Sequence, residues 1–268
     1  MITGAAGLVG TALTRAFGPE AFPLTHRELD IGDAAAVRAR IAALHPAVVL
    51  NCAVLGVDEC EEDPKRASRI NVDGPRFLAE ACQLAGAAIV HFSTNYVFDG
   101  DRAPHRPYGT EDEARPVNVY GATKLEGERA VADACARAII VRTSWVYGPG
   151  KESFLSTAAA KLGKGQRVRA ITDTWASTTW VEDLVVRVRD LVEGGRYGTH
   201  HAVNDGACSY ETFALECARI TGADPALIDR TTEAAMKRRA RRPRSTPMTA
   251  VPPMRHWREA LAASLNLH

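Results

Sequence analysis

The chain has 268 residues, with 33 Lys and Arg against 32 Asp and Glu for a formal net charge of +1, which gives no reason to expect a nucleic-acid or membrane partner. No apolar run approaches the ~20 residues of a membrane span, and no signal peptide is visible. At 46% hydrophobic and 24% charged residues, the chain can bury a full core as one α/β unit with a smaller lobe.

In chain order, Ile2-Thr3 leads into Gly4-Ala-Ala-Gly7-Leu-Val-Gly10 and a helix-like run from Thr11 to Phe17. Glycines at this spacing let a strand turn tightly into a helix and let the backbone approach a pyrophosphate seated on the helix N-terminus. The strand before Gly4 has only three residues where ~5–6 are usual, so either the start is truncated or the first strand is unusually short. Short β-branched runs then alternate with longer amphipathic ones. Ala34 to Leu44, Pro64 to Ala85 and Tyr120 to Ala136 read as helices, and Ala47 to Asn51, Ala88 to Ser93 and Ala138 to Thr143 as buried strands. Such alternation is the signature of parallel βαβ units, here a Rossmann-type doubly wound sheet over residues 1–150. Arg167 to Thr172 and Thr199 to Asn204 are expected to complete that sheet, and residues 205–268 to form most of a substrate-binding lobe. A basic, proline-bearing stretch runs from Lys237 to Pro253.

The six cysteines show no zinc-like spacing, which points to reduced thiols in a cytoplasmic protein. His200 and His201 are adjacent in a strand and so face opposite ways, and no metal site is expected. Tyr120 and Lys124 lie one helical turn apart, so their heads share a helix face. A phenol ionises near pKa ~10, and an adjacent ammonium favours the phenolate and lowers that value.

The set Gly4-x-x-Gly7-x-x-Gly10, Leu29-Asp30-Ile31, Asn51-Cys-Ala53, Val57-Asp-x-Cys-Glu61, Ser93-Thr-Asn-Tyr-Val-Phe-Asp-Gly100, Tyr120-Gly-x-x-Lys124 and Arg142-Thr-Ser-Trp-Val-Tyr147 resembles the extended short-chain dehydrogenases/reductases. Within them it is similar to the dTDP-4-dehydrorhamnose reductase branch. The resemblance implies NAD(P)H-dependent reduction of the 4-keto group of a dTDP-4-keto-6-deoxy sugar. It leaves two alternatives: a 4-ketoreductase of another nucleotide sugar, and a non-catalytic NADP-binding subunit like the regulatory partner of methionine adenosyltransferase. The partner expected is a nucleotide-sugar substrate, and the assembly a monomer or homodimer.

Carried onto these residues, the resemblance makes Thr94, Tyr120 and Lys124 the catalytic set. Gly4, Gly7, Leu8, Val9, Arg27, Asp30, Ile31, Asn51, Cys52, Ala53, Val54, Leu55 and Ser93, with Tyr120 and Lys124, would hold the cofactor. Thr94, Asn95, Tyr96, Trp145, Arg242 and Ser245 would meet the substrate. Cofactor choice rests on Pro23-Leu-Thr-His-Arg27, where an NAD site usually carries an acid, whereas Arg27 can pair with a 2′-phosphate. NADPH is therefore expected, with NADH as the alternative. The chain departs from the branch at Leu8 (usually Gln), at Asn95 (usually Asp) and in the loop Asp173 to Thr179. The Asn95 change removes a negative charge near the substrate and so bears on which sugar is taken.

Overall fold

In the computed structural model, which describes residues 1–104, 106–150 and 152–266, six parallel strands form the centre. They are β1 (Ile2–Thr3), β2 (Pro23–Leu24), β3 (Val48–Asn51), β4 (Ala88–Thr94), β5 (Ala138–Thr143) and β6 (Gly198–His201), laid out in the order β6-β5-β4-β3-β1-β2. All seven residues of β4 are buried, as befits a parallel strand covered by helices on both faces. Alternate β4 residues point opposite ways. Val90 and Phe92 join the layer with α1 (Leu8–Phe17) and the helix Val181–Glu193. Ile89 joins the layer with α2 (Ala34–Leu44), α5 (Gly74–Ala85) and α6 (Val119–Ala134), and His91 shares that side by period two. Between the neighbours β1 and β3 the connections diverge to opposite halves of the sheet. That is the switch point outside whose carboxyl ends ligands bind in open α/β sheets.

Two expectations are corrected. The strand Val168–Ile171 does not join the central sheet but pairs in parallel with Ile228–Thr231. The edge beside β5 is taken by β6, so the segment has no free edge there to pair with. Together with Trp175–Ala176, which pairs with Cys208–Ser209 and Ser245–Thr246, this means the smaller lobe draws on residues well before 205. The second correction falls within Pro64 to Ala85, which is not one helix. α4 (Pro64–Ser68) passes into a π-turn, Arg69–Asp73, before α5 begins. Pro75, at the start of α5, has no N–H to continue an α-helical ladder. The wider turn directs Asn71 inward, where Oδ1 accepts from Leu55 N–H at 2.9 Å and Nδ2 donates to Thr123 Oγ1 at 3.2 Å.

The basic stretch folds back over α3 (Val57–Glu62). Arg239 pairs with Glu62 at 3.1 Å, and Arg242 with Asp58 at 2.7 Å. No helix among the described residues is long and apolar enough to cross a membrane.

Candidate active site

The glycine turn is held open by its own backbone. Gly4 has φ +62°, and a Cβ there would meet Ala53 N at 2.6 Å; one on Gly10 would meet Gly4 O at 2.4 Å. Gly7 caps α1 with extended backbone, and neither a side-chain cap nor an acid occupies the first turn. The leading N–H groups of a ten-residue helix are thus left for an anion.

From this turn a cleft of about 440 Å³ crosses the carboxyl ends of β3, β4 and β5. Gly4, Gly7, Leu8, Val9, Cys52, Ala53 and Val54 line one side, and Ser93, Thr94, Asn95, Tyr96, Tyr120, Lys124 and Trp145 the other. A second hollow of about 430 Å³ shares Gly4, Gly7 and Cys52 to Val54 and runs past Thr25, His26, Leu29, Ile31 and Leu55 to Arg66 and Arg69. Most of the expected site residues therefore gather around one continuous groove.

Thr94 ends β4, and its Oγ1 accepts from Tyr96 N–H at 3.2 Å, capping the short turn Asn95–Val97. The Tyr120 phenol and the Thr94 hydroxyl line the same cleft, and the hydroxyl donates to Asn95 Oδ1 at 3.3 Å. Asn118 starts α6 by accepting from Gly121 N–H at 2.7 Å, which fixes the turn that presents Tyr120. Gly121 is required beside it, because a Cβ there would lie 2.1 Å from Tyr96 O. The Tyr96 and Tyr120 rings meet edge to face with centroids 5.8 Å apart.

Burial pushes the Tyr120 phenol up to about 12, with the Thr94 hydroxyl pulling it partly back. The net effect is thus opposite to the lowering expected from Lys124. Lys124, 1% exposed, is itself brought down to about 8 by burial, against which Glu128, Cys60 and Cys52 act. Tyr120 thus stays in its acid form at neutral pH.

Asn51 is fully buried behind the cleft, where Oδ1 accepts from the Thr3 hydroxyl at 2.7 Å. Asn95 is buried as well and donates to Thr246 Oγ1 at 2.6 Å. Four more expected residues lie off the lining. Asp30 turns its carboxylate to Gly32 N–H and to the Arg69 guanidinium. Arg27 sits in the turn closed by Glu28, whose carboxylate accepts from Thr25 N–H at 2.7 Å, and is exposed without lining the hollow. Arg242 is committed to Asp58 and to Ala240 O. Ser245 is buried against Gly100, with its hydroxyl unpartnered.

Sequence reasoning missed several residues. Tyr210 stacks on Trp145 with centroids 4.1 Å apart and lines the cleft. The capping pair Ser209 and Thr212 marks a helix start there, but only the tertiary fold turns the ring inward. Ser144 lines the cleft with an unpartnered hydroxyl. Arg66 and Arg69 line the far hollow from α4 and the π-turn, where no spacing rule ties them to the glycine turn.

The family model described as the RmlD substrate binding domain matches residues 1–267. A dTDP-4-dehydrorhamnose reductase of Streptomyces griseus is 38% identical, over 98% of this chain and 92% of that protein. A dTDP-4-keto-6-deoxy-D-glucose reductase of Streptomyces niveus is 33% identical, over 100% of this chain and 96% of its own. Among solved structures, dTDP-4-dehydrorhamnose reductase from Bacillus anthracis in complex with NADP superposes with a TM-score of 0.91 at 32% identity, covering 100% of this chain and 98% of that one. The chain belongs to the RmlD substrate binding domain family.

Proposed function

We propose that this member of the RmlD family is an NADPH-dependent reductase that converts the 4-keto group of a dTDP-4-keto-6-deoxy sugar to a hydroxyl, with dTDP-4-dehydrorhamnose as substrate and dTDP-rhamnose as product. The observation that carries it is the convergence of Thr94, Tyr120 and Lys124 on a cleft continuous with the open glycine turn. Names of relatives sharing a third or more of their residues over nearly the whole chain support it. Six free thiols support a cytoplasmic setting.

The groove fits a dinucleotide. The N-terminus of α1 is uncapped, and the glycine backbone leaves room where a Cβ would collide. When bound, NADPH supplies the hydride that goes to the carbonyl carbon. As that carbon is reduced, negative charge gathers on its oxygen, and donors aimed at the oxygen lower the barrier. Tyr120 gives its proton to that oxygen as general acid, which its raised pKa keeps available at neutral pH. Thr94 hydrogen-bonds the same oxygen, its own Oγ1 oriented by Tyr96 N–H. Lys124, which lines the cleft, would help hold the cofactor's ribose and, when charged, would stabilise the phenolate left behind. The sugar lies against Asn95, Tyr96, Trp145 and Tyr210, whose rings close the other side of the cleft.

Asn95 also favours a second reading, a ketoreductase for another dTDP-4-keto sugar, because its neutral amide is already bonded to Thr246. One assay separates the two: NADPH oxidation with dTDP-4-dehydrorhamnose and with its unepimerised 4-keto precursor. Turnover of the first alone supports the rhamnose pathway, and turnover of the second alone the alternative sugar. Tight NADPH binding with no turnover of either substrate would defeat the reductase function.

A further inference from the structure

Among the described residues, the hydrogen-bond partner of Lys124 Nζ is His91 Nε2, 3.2 Å away. His91 is fully buried in the middle of β4, facing Gly127 of α6, where a Cβ would meet Asn71 O at 2.2 Å. The other ring nitrogen, Nδ1, faces the Asn51 amide nitrogen at 3.1 Å. Which way that amide points is settled by its neighbours. Asn51 Oδ1 accepts from the Thr3 hydroxyl at 2.7 Å and from Ala53 N–H at 3.3 Å, and a backbone N–H can only donate. The amide NH₂ therefore donates to His91 Nδ1. A neutral imidazole with a lone pair on Nδ1 carries its hydrogen on Nε2. That N–H points at Lys124, where an amine lone pair can accept it and an ammonium meets it hydrogen to hydrogen.

We infer that His91 is a positioning residue that presents an N–H to Lys124 and so favours its neutral amine in the cofactor-free protein, with Lys124 shifting toward the ammonium as the nucleotide binds. The inference about the free protein stands on hydrogen-bond direction alone, and its second half rests on the reductase function proposed above. The groups facing Lys124 are Tyr120 and Glu128 from α6, His91 from β4, Cys52 beyond β3 and Cys60 from α3. Of these, Glu128 is spoken for by Arg142, at 2.7 Å, and the thiols are raised by burial. None offers the ammonium a dedicated anion. Burial also holds the His91 ring well below its usual value, which keeps it neutral.

Two measurements test this. Long-range ¹H–¹⁵N correlation of ¹⁵N-histidine protein without cofactor, at a pH above the amine's value of about 8, should show His91 as the Nε2–H tautomer. The Nδ1–H tautomer would overturn the inference, whatever the enzyme's activity. Calorimetric NADPH titrations at the same pH in buffers of different ionisation heat should show net uptake approaching one proton per site. Asn51→Asp keeps the bonds to Thr3 and Ala53 but offers a carboxylate to the ring, which then carries its hydrogen on Nδ1 and turns a lone pair to Lys124. In that variant proton uptake should fall toward zero and the His91 tautomer should switch. Uptake that is absent in the wild type, or unchanged in Asn51→Asp, refutes the coupling, while NADPH oxidation in parallel shows whether the reductase function itself survives.

Discussion

At the Tyr120 end of the groove the polar side chains are sunk into the fold and tied to distant segments: Asn95 to Thr246, and His91 to Asn51 and Lys124. At the Arg69 end the charged groups stand in solvent, with Arg69 held by Asp30, and Arg66 and His26 exposed beside it. Low dielectric at the first end makes each hydrogen bond and each misplaced charge count for more, and water at the second screens them. Chemistry belongs where geometry is fixed, and cofactor preference can be tuned where charges are cheap to move. Changes at the two ends should therefore differ in size and in kind.

The largest effect is expected from Tyr120→Phe. Losing the general acid should lower kcat ~10²–10⁴-fold. NADPH affinity should stay within about twofold, because the phenol ring keeps its edge-to-face contact with Tyr96. A variant with a near-normal rate would mean that another group supplies the proton.

How far each end was legible follows from the same contrast. The spacing Tyr120 to Lys124 and the strand end Ser93-Thr94 are local patterns, and each needs only one element to be read correctly. The glycine turn is similar, since its requirements come from backbone collisions within a few residues of Gly4 and Gly10 and from one neighbouring strand end. Arg69 could not be found that way. It reaches the groove from a π-turn that replaces a continuous helix, and nothing local distinguishes it from Arg66, Lys65 or Arg27. The pairing of Arg242 was illegible for the opposite reason: an arginine-rich run carries no sign of the acids that will pair with it, and here α3 supplies Asp58 and Glu62. The strand Val168–Ile171 was recognised, but its partner depends on which sheet edge is free.

A middle-sized effect should come from the junction that both ends share. Gly10→Ala sets a methyl 2.4 Å from Gly4 O, and backbone on both sides must move. Overpacking of this kind costs about 1–3 kcal/mol, to be read as a lower urea midpoint, with weaker binding of NADPH and NADH alike. An unchanged midpoint with normal binding would show that the turn has slack.

The smallest effects should separate Arg69 from Arg27. If a 2′-phosphate enters beside Ile31 and His26, the lining guanidinium of Arg69 would be nearer to it than that of Arg27, which sits at the turn outside the hollow. Charge-assisted bonds are strong when formed, but Arg69 is exposed and must be shared with Asp30, so solvent and competition discount the gain. Arg69→Ala is expected to weaken NADPH roughly tenfold and NADH much less, while Arg27→Ala changes either by about twofold or less. Asp30→Asn should move the opposite way, tightening NADPH a few-fold by freeing the guanidinium and removing a carboxylate that repels phosphate. Fluorescence titrations of both cofactors against the three variants decide it. If Arg27→Ala instead costs NADPH selectively and Arg69→Ala does not, the turn closed by Glu28 must reopen on binding, and the exposed end of the groove is the part that rearranges.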